Sequence, residues 1–292
     1  MLLGKLPAIL GVCLTTTLAA AQAPPPSHQN PSPMTEIVRR HERVEKTEVK
    51  GKRWTLSTGT LLLPDSARLR ATMPLYIHFH GAPWLAEWSV NQRDPHAAVI
   101  TVQLGAGSGV YSQAFKESVK LASLLEEAAH DLSPDRSIQF RPVVLSGWSA
   151  GYGAIREILR NHDNWKRIDA VLLEDGIHTS YVPDGQPGPL DPAPLEPFIE
   201  FAREAIAGRK TFVILHSEIF PGTFASTTEC SEYVLHQLGL APRPVLKWGP
   251  LGMQQISAAG AGKFRVMGFA GNTAPDHVDF IHSTKTWLRM LK

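Results

Sequence analysis

What most constrains this chain is an alternation. Short apolar runs rich in β-branched residues take turns with stretches whose apolar residues recur every three to four positions. "MPLYIHFHG" (73–81) and "AAVITVQLG" (97–105) read as buried strands, and further strands are predicted at 142–146, 169–174, 211–216 and 264–269. Helices are predicted at 150–161, 194–207, 226–238 and 278–291. One more spans 112–132, with Phe115, Val119, Leu124, Leu125 and Ala128 near one face. "RWTLSTGTLLLP" (53–64) reads as an antiparallel strand pair or one bent strand. Strands that are apolar almost without interruption, each leading to a helix, require a mostly parallel sheet covered on both faces. The predicted fold class is α/β, with no internal repeat.

The chain has 292 residues, 43% hydrophobic and 19% charged, enough to bury the core of one such domain. Net charge is +2 with Lys and Arg dispersed, so no basic block points to nucleic acid or an anionic membrane. Residues 1–23 combine an early cation (Lys5), an apolar run from Leu6 to about Leu18 and small residues at Ala21-Gln22-Ala23. That pattern predicts a secretory signal, cleaved after Ala21 or Ala23 and too short to span a bilayer stably. The mature protein is then periplasmic or secreted, with no integral membrane segment. Cys230 would be its only cysteine, which rules out an intramolecular disulfide. Residues 24–33, "PPPSHQNPSP", form a Pro-rich linker that resists helix. The folded domain is assigned to 34–292, with its first element starting between Met34 and Lys52. Oligomeric state is not legible.

Chemistry concentrates in "VVLSGWSAGYG" (143–153), where an apolar strand runs into Gly147-Trp148-Ser149-Ala150-Gly151 and leaves as an amphipathic helix carrying Ile155, Ile158 and Leu159. Two glycines around one serine suit a turn too sharp for side chains, which lifts Ser149 into a strained, exposed position. The free N–H groups of the helix that follows add partial positive charge beside it.

This strand-turn-helix resembles the nucleophile elbow of the α/β-hydrolase family, over roughly residues 50–292. The resemblance implies an α/β-hydrolase fold and Ser149 as nucleophile. It also implies an oxyanion hole made by the backbone N–H groups of Ala82, in His80-Gly81-Ala82 after a strand, and of Ala150. Family order is Ser, acid, His, with the His in the loop before the terminal helix. Among twelve histidines that order selects His277, while His282 lies farther along the same helix. Two carboxylates remain for the acid. Glu218 follows the strand the family uses most often, but Phe220 occupies the usual Asp position. Asp175 lies immediately past the preceding strand and just before Gly176, and is preferred. Asp276 adjoins His277 and suits a helix-capping role better.

His78 and His80 share a strand face, as metal ligands do, but no nearby carboxylate completes a cluster, so no metal is assigned and the two are expected to shape the oxyanion loop. No organic cofactor is implied. Trp84, Trp88, Trp148 and Tyr152 are candidates for an acyl pocket or for core packing. The segment "TSYVPDGQPGPLDPAPLEPF" (179–198), where a cap would lie, is too short and Pro-rich for a helical lid. The expected protein is an exported serine hydrolase, a carboxylesterase acting on a small ester. A peptidase or amidase on the same scaffold, and an inactive envelope binding protein, stand as alternatives.

Overall fold

The computed structural model describes residues 40–291. The expected signal peptide and Pro-rich linker lie outside them. Two short strands, β1 (Gly51–Thr55) and β2 (Thr60–Pro64), form the antiparallel pair expected near residues 53–64. There follow β3 (Thr72–Phe79), α1 (Pro83–Arg93), β4 (Ala98–Val102), α2 (Ser108–Phe115), α3 (Lys120–Leu132), β5 (Gln139–Trp148), α4 (Tyr152–Arg160) and β6 (Ala170–Glu174). The chain continues through α5 (Glu196–Ile206), β7 (Thr211–His216), α6 (Thr227–Gln237), β8 (Arg243–Trp248), β9 (Gln254–Ala261), β10 (Phe264–Phe269), α7 (Ala274–His282) and α8 (Thr284–Trp287).

All ten strands join one sheet in the order β1-β2-β4-β3-β5-β6-β7-β10-β9-β8. The six from β4 to β10 in that order are parallel, and β1–β2 and β9–β8 extend the two ends antiparallel. Alternation along the strands builds two cores, because successive side chains point to opposite faces. Val143, Leu145, Val171 and Leu173 face one core with residues of α3, α4, α5 and α6; Val144, Ala170 and Leu172 face the other with Phe280, Trp287 and Leu288. A mostly parallel sheet buried on both faces, with a serine elbow leaving its middle, is the α/β-hydrolase fold. Residues 179–195 contain no helix. Among the described residues, no helix is long and apolar enough to cross a membrane.

Three local expectations fail. The helix expected at 112–132 is two helices separated by a gap at 116–119, where the Asn161 side-chain amide donates to the Ser118 carbonyl. Val119, expected on the buried face, is 66% exposed. The β8–β9 hairpin was not foreseen: Pro244 and the Gly249–Gly252 turn mask its strand pattern, and β8 lies exposed at the sheet edge, where no alternating buried face is required. The terminal helix breaks at Ser283 into α7 and α8, beside a Thr284 whose hydroxyl lies 2.8 Å from the Ile281 carbonyl and 2.7 Å from Glu174.

Candidate active site

Five strand ends converge at one rim of the sheet. Ser149 follows β5, His80 follows β3, Asp175 follows β6, Ser217 follows β7, and the loop after β10 leads to His277 in the first turn of α7. The carboxyl ends of parallel strands are where such sheets bind ligands. Four non-glycine residues among those described have positive φ, and three are here: His80 (68°), Ser149 (47°) and Asp175 (47°). L-residues seldom hold that conformation unless their surroundings impose it.

Two glycines impose it at the elbow. A methyl group on Gly151 would lie 2.1 Å from the Phe79 carbonyl oxygen, so the helix can start this close to β3 only without a side chain there. A methyl on Gly176 would lie 2.3 Å from the Ser149 carbonyl oxygen. The residue after Asp175 therefore packs directly on the backbone of the serine, and the two turns hold each other.

Asp175 is 2% exposed, and its Oδ2 lies 2.7 Å from His277 Nδ1. The same oxygen accepts the Ser217 hydroxyl at 2.8 Å; Oδ1 accepts the Ser217 N–H and the Thr227 hydroxyl, each at 2.8 Å. Burial alone would raise this carboxyl, but the hydrogen bond and charge of His277 and the two Ser217 donors outweigh it and hold Asp175 below its ordinary range. Glu218, the other candidate, is turned elsewhere: its Oε2 accepts the Gly271 N–H at 3.3 Å and its own N–H donates to the Gly271 carbonyl, which braces the loop before α7. Asp276 forms a capping box with Thr273, the helix-start role its position suggests.

Trp148 does more than flank the elbow. Its indole is stacked 4.7 Å from the His277 ring on one side and 5.2 Å from the His80 ring on the other, and its Nε1–H donates to the His277 carbonyl at 3.0 Å. Tyr152 lines the cleft beside Ser149, whereas Trp84 packs near His282 and Trp88 lies under Lys285, both away from it. Their positions on α1 put them on the opposite side of the sheet from the cleft-lining α4.

The loop carrying Ala82 is braced from below. Gly81 N–H donates to Gln103 Oε1 at 2.8 Å, and the buried Tyr111 hydroxyl bridges Gln103, the Leu104 N–H and His80 Nδ1. His78 is buried with its Nδ1 2.9 Å from Ser146 Oγ, and burial depresses it to about 4, so it is neutral at physiological pH.

Ser149 opens on two adjoining clefts. One, of about 350 Å³, contains Asp175, His277, Ile219, Pro221 and Ala274; the other, of about 490 Å³, contains Ala150, Tyr152, Arg156, Ser108 and Ser180. His178 and Phe224 line both. Desolvation depresses His178, and its Nδ1 donates to the Ala225 carbonyl at 2.8 Å, so the neutral ring offers Nε2 as an acceptor. His178, Ser217, Thr227 and Arg156 escape a sequence reading, because no motif marks a residue whose partners come from another strand end. Only their nearness to strand ends could have flagged the first two.

No family model and no curated protein matches the sequence. Among solved structures, the chain is similar to an arylesterase at 13% identity, covering 86% of this chain and 89% of that one with a TM-score of 0.46. It is similar to the enterobactin esterase FES from Shigella flexneri at 13% identity, over 87% and 64% of the two chains, with a TM-score of 0.48. A cold-adapted esterase from an Arctic intertidal metagenomic library aligns at 15% identity over 84% and 98%, with a TM-score of 0.44.

Proposed function

We propose that this protein is a serine hydrolase that cleaves carboxylic esters through an acyl-enzyme. The observation that carries the proposal is that Ser149, held at φ 47° at the elbow, lines the same cleft as His277, whose Nδ1 is bonded to the buried Asp175. In this reading Ser149 Oγ attacks the ester carbonyl while His277 Nε2 takes its proton. Asp175 keeps the His277 proton on Nδ1 and stabilises the imidazolium that forms. The N–H groups of Ala82 and Ala150 hold the oxyanion, each worth about 3–4 kcal/mol in comparable sites. His277 then returns the proton to the leaving alcohol, and a water repeats the sequence on the acyl-enzyme.

The test is turnover of p-nitrophenyl esters against aminoacyl anilides by the wild type and by Ser149→Ala. The reading expects ester hydrolysis abolished in a folded Ser149→Ala variant, with anilides cleaved far more slowly than esters by the wild type. Dominant anilide cleavage would favour a peptidase, and no turnover of either a binding protein. The protein is also proposed to be exported: residues 1–33 fused to a periplasmic reporter should direct secretion with cleavage at Ala21 or Ala23, and a full-length cytosolic fusion would contradict this.

A further inference from the structure

The two clefts differ in chemistry, and the difference assigns each half of the substrate. His277 must protonate the departing alcohol, so the alcohol lies on the His277 side, in the cleft walled by Ile219, Pro221, Phe224 and Ala274. The acyl group then extends into the other cleft, past Ala150. Among the described residues, that cleft contains one ionised side chain, Arg156, together with the hydroxyl-bearing Ser108, Tyr152 and Ser180. Arg156 lies on α4 seven residues beyond Ser149, a rise of roughly 10 Å along a helix axis. Its side chain is 17% exposed and stands over the Tyr152 ring.

Local pairing leaves its charge in excess. Arg156 Nε donates to Glu157 at 3.1 Å, but Glu157 also pairs with Arg160 at 3.5 Å, so two guanidinium groups share one carboxylate. Arg156 Nη2 donates to Ser112 Oγ at 2.9 Å, and no hydrogen bond among the described residues engages Nη1. The N-terminus of α2 lines the same cleft without a side-chain cap and adds partial positive charge. Among the described residues, no acidic residue lines the cleft to oppose it.

We propose that Arg156 binds an anionic group at the far end of the acyl chain, so that the preferred substrate is an ω-carboxyacyl ester, a half-ester of a dicarboxylic acid with an apolar alcohol. This rests on the serine-hydrolase reading above. A guanidinium with a free Nη1 donates well to a carboxylate, and the Ser108 and Ser180 hydroxyls stand in the same cleft as further donors.

The experiment compares kcat/KM for the p-nitrophenyl half-esters of adipic and suberic acids with that for p-nitrophenyl hexanoate and octanoate, in the wild type, Arg156→Leu and Arg156→Lys. The wild type should favour a half-ester over its neutral counterpart by about tenfold to a hundredfold, the range for one charge-assisted contact. That ratio should fall to about one or below in Arg156→Leu, and Arg156→Lys should restore part of it. A wild-type ratio at or below one, or a preference that survives in Arg156→Leu, overturns the assignment while leaving the hydrolase intact. If the wild type cleaves none of the four esters, the hydrolase reading falls and this inference with it.

Discussion

At the residue scale, the proposed acid is distinguished by what surrounds it. Ser217 N–H and the Thr227 hydroxyl both donate to Asp175 Oδ1, so an asparagine at 175 would keep its carbonyl oxygen there and turn its NH₂ toward His277 Nδ1. Two donors would then face each other unless the imidazole moved its proton to Nε2, the nitrogen that must act as base. Asp175→Asn should therefore fold normally and lose about two to four orders of magnitude in kcat. Glu218→Gln keeps an oxygen for the Gly271 N–H, and its kcat should stay within about threefold of wild type. Equal losses in the two variants would refute the assignment. Trp148 offers a graded check. Trp148→Phe keeps a ring against His277 but loses the indole bond to its carbonyl, so it should retain more kcat than Trp148→Ala; the reverse order would deny Trp148 a positioning role.

At the element scale, the elbow depends on backbones that approach too closely for side chains. Gly151→Ala forces a methyl against the β3 carbonyl and should cost about 1–3 kcal/mol in thermal or urea unfolding. Gly109→Ala, where nothing lies within 4 Å of the added carbon, should be neutral or stabilising by up to about 1 kcal/mol, because alanine is the better helix former. Similar effects in the two would mean that helix propensity, not crowding, governs the elbow. This element was legible in the sequence because its constraint is local: strand, tight turn and helix all fall within 143–160. The parallel strands were legible for a similar reason, since burial on both faces leaves them uniformly apolar. The β8–β9 hairpin and the break at Ser118 were not. An edge strand needs no buried face, and the Asn161 amide that meets the Ser118 carbonyl in the helix gap arrives from forty residues away. The same logic divides the site. Ser149 and His277 sit in ordered motifs, whereas the choice between Asp175 and Glu218 turned on which strand end reaches His277, and that is a property of the sheet.

At the scale of the whole molecule, the helices behind the sheet are tied to the rim that carries the candidate site. The terminal segment carrying His277 is held by Arg43 and His41 on Asp279 and by Val44 N–H on His282. From the sheet side, Glu174 meets Thr284 in the opposite core from the cleft. Glu174 is fully buried, and desolvation lifts it to about 8 against a smaller opposing pull from Thr284. One hydroxyl hydrogen on Thr284 cannot serve both Glu174 and the Ile281 carbonyl. A protonated Glu174 donating to Thr284 resolves this. Because the folded-state value lies above the unfolded one, the folded protein retains a proton that the unfolded chain releases. The stability this group contributes is complete below about pH 4.5 and is lost as pH rises through about 8. Glu174→Gln, whose amide donates in the same place, should match wild type at pH 4 and gain in Tm as pH rises to 9. A gap that does not change with pH would place the burden elsewhere.

The proposed mechanism requires Ser149 to be an activated nucleophile. A fluorophosphonate probe reacts covalently with such a serine, and peptide mapping by mass spectrometry locates the adduct. The account predicts stoichiometric modification of Ser149 in the wild type, none in a folded Ser149→Ala variant, and strongly slowed labelling in Asp175→Asn. An unmodified wild-type protein, or an adduct on any residue other than Ser149, would contradict it.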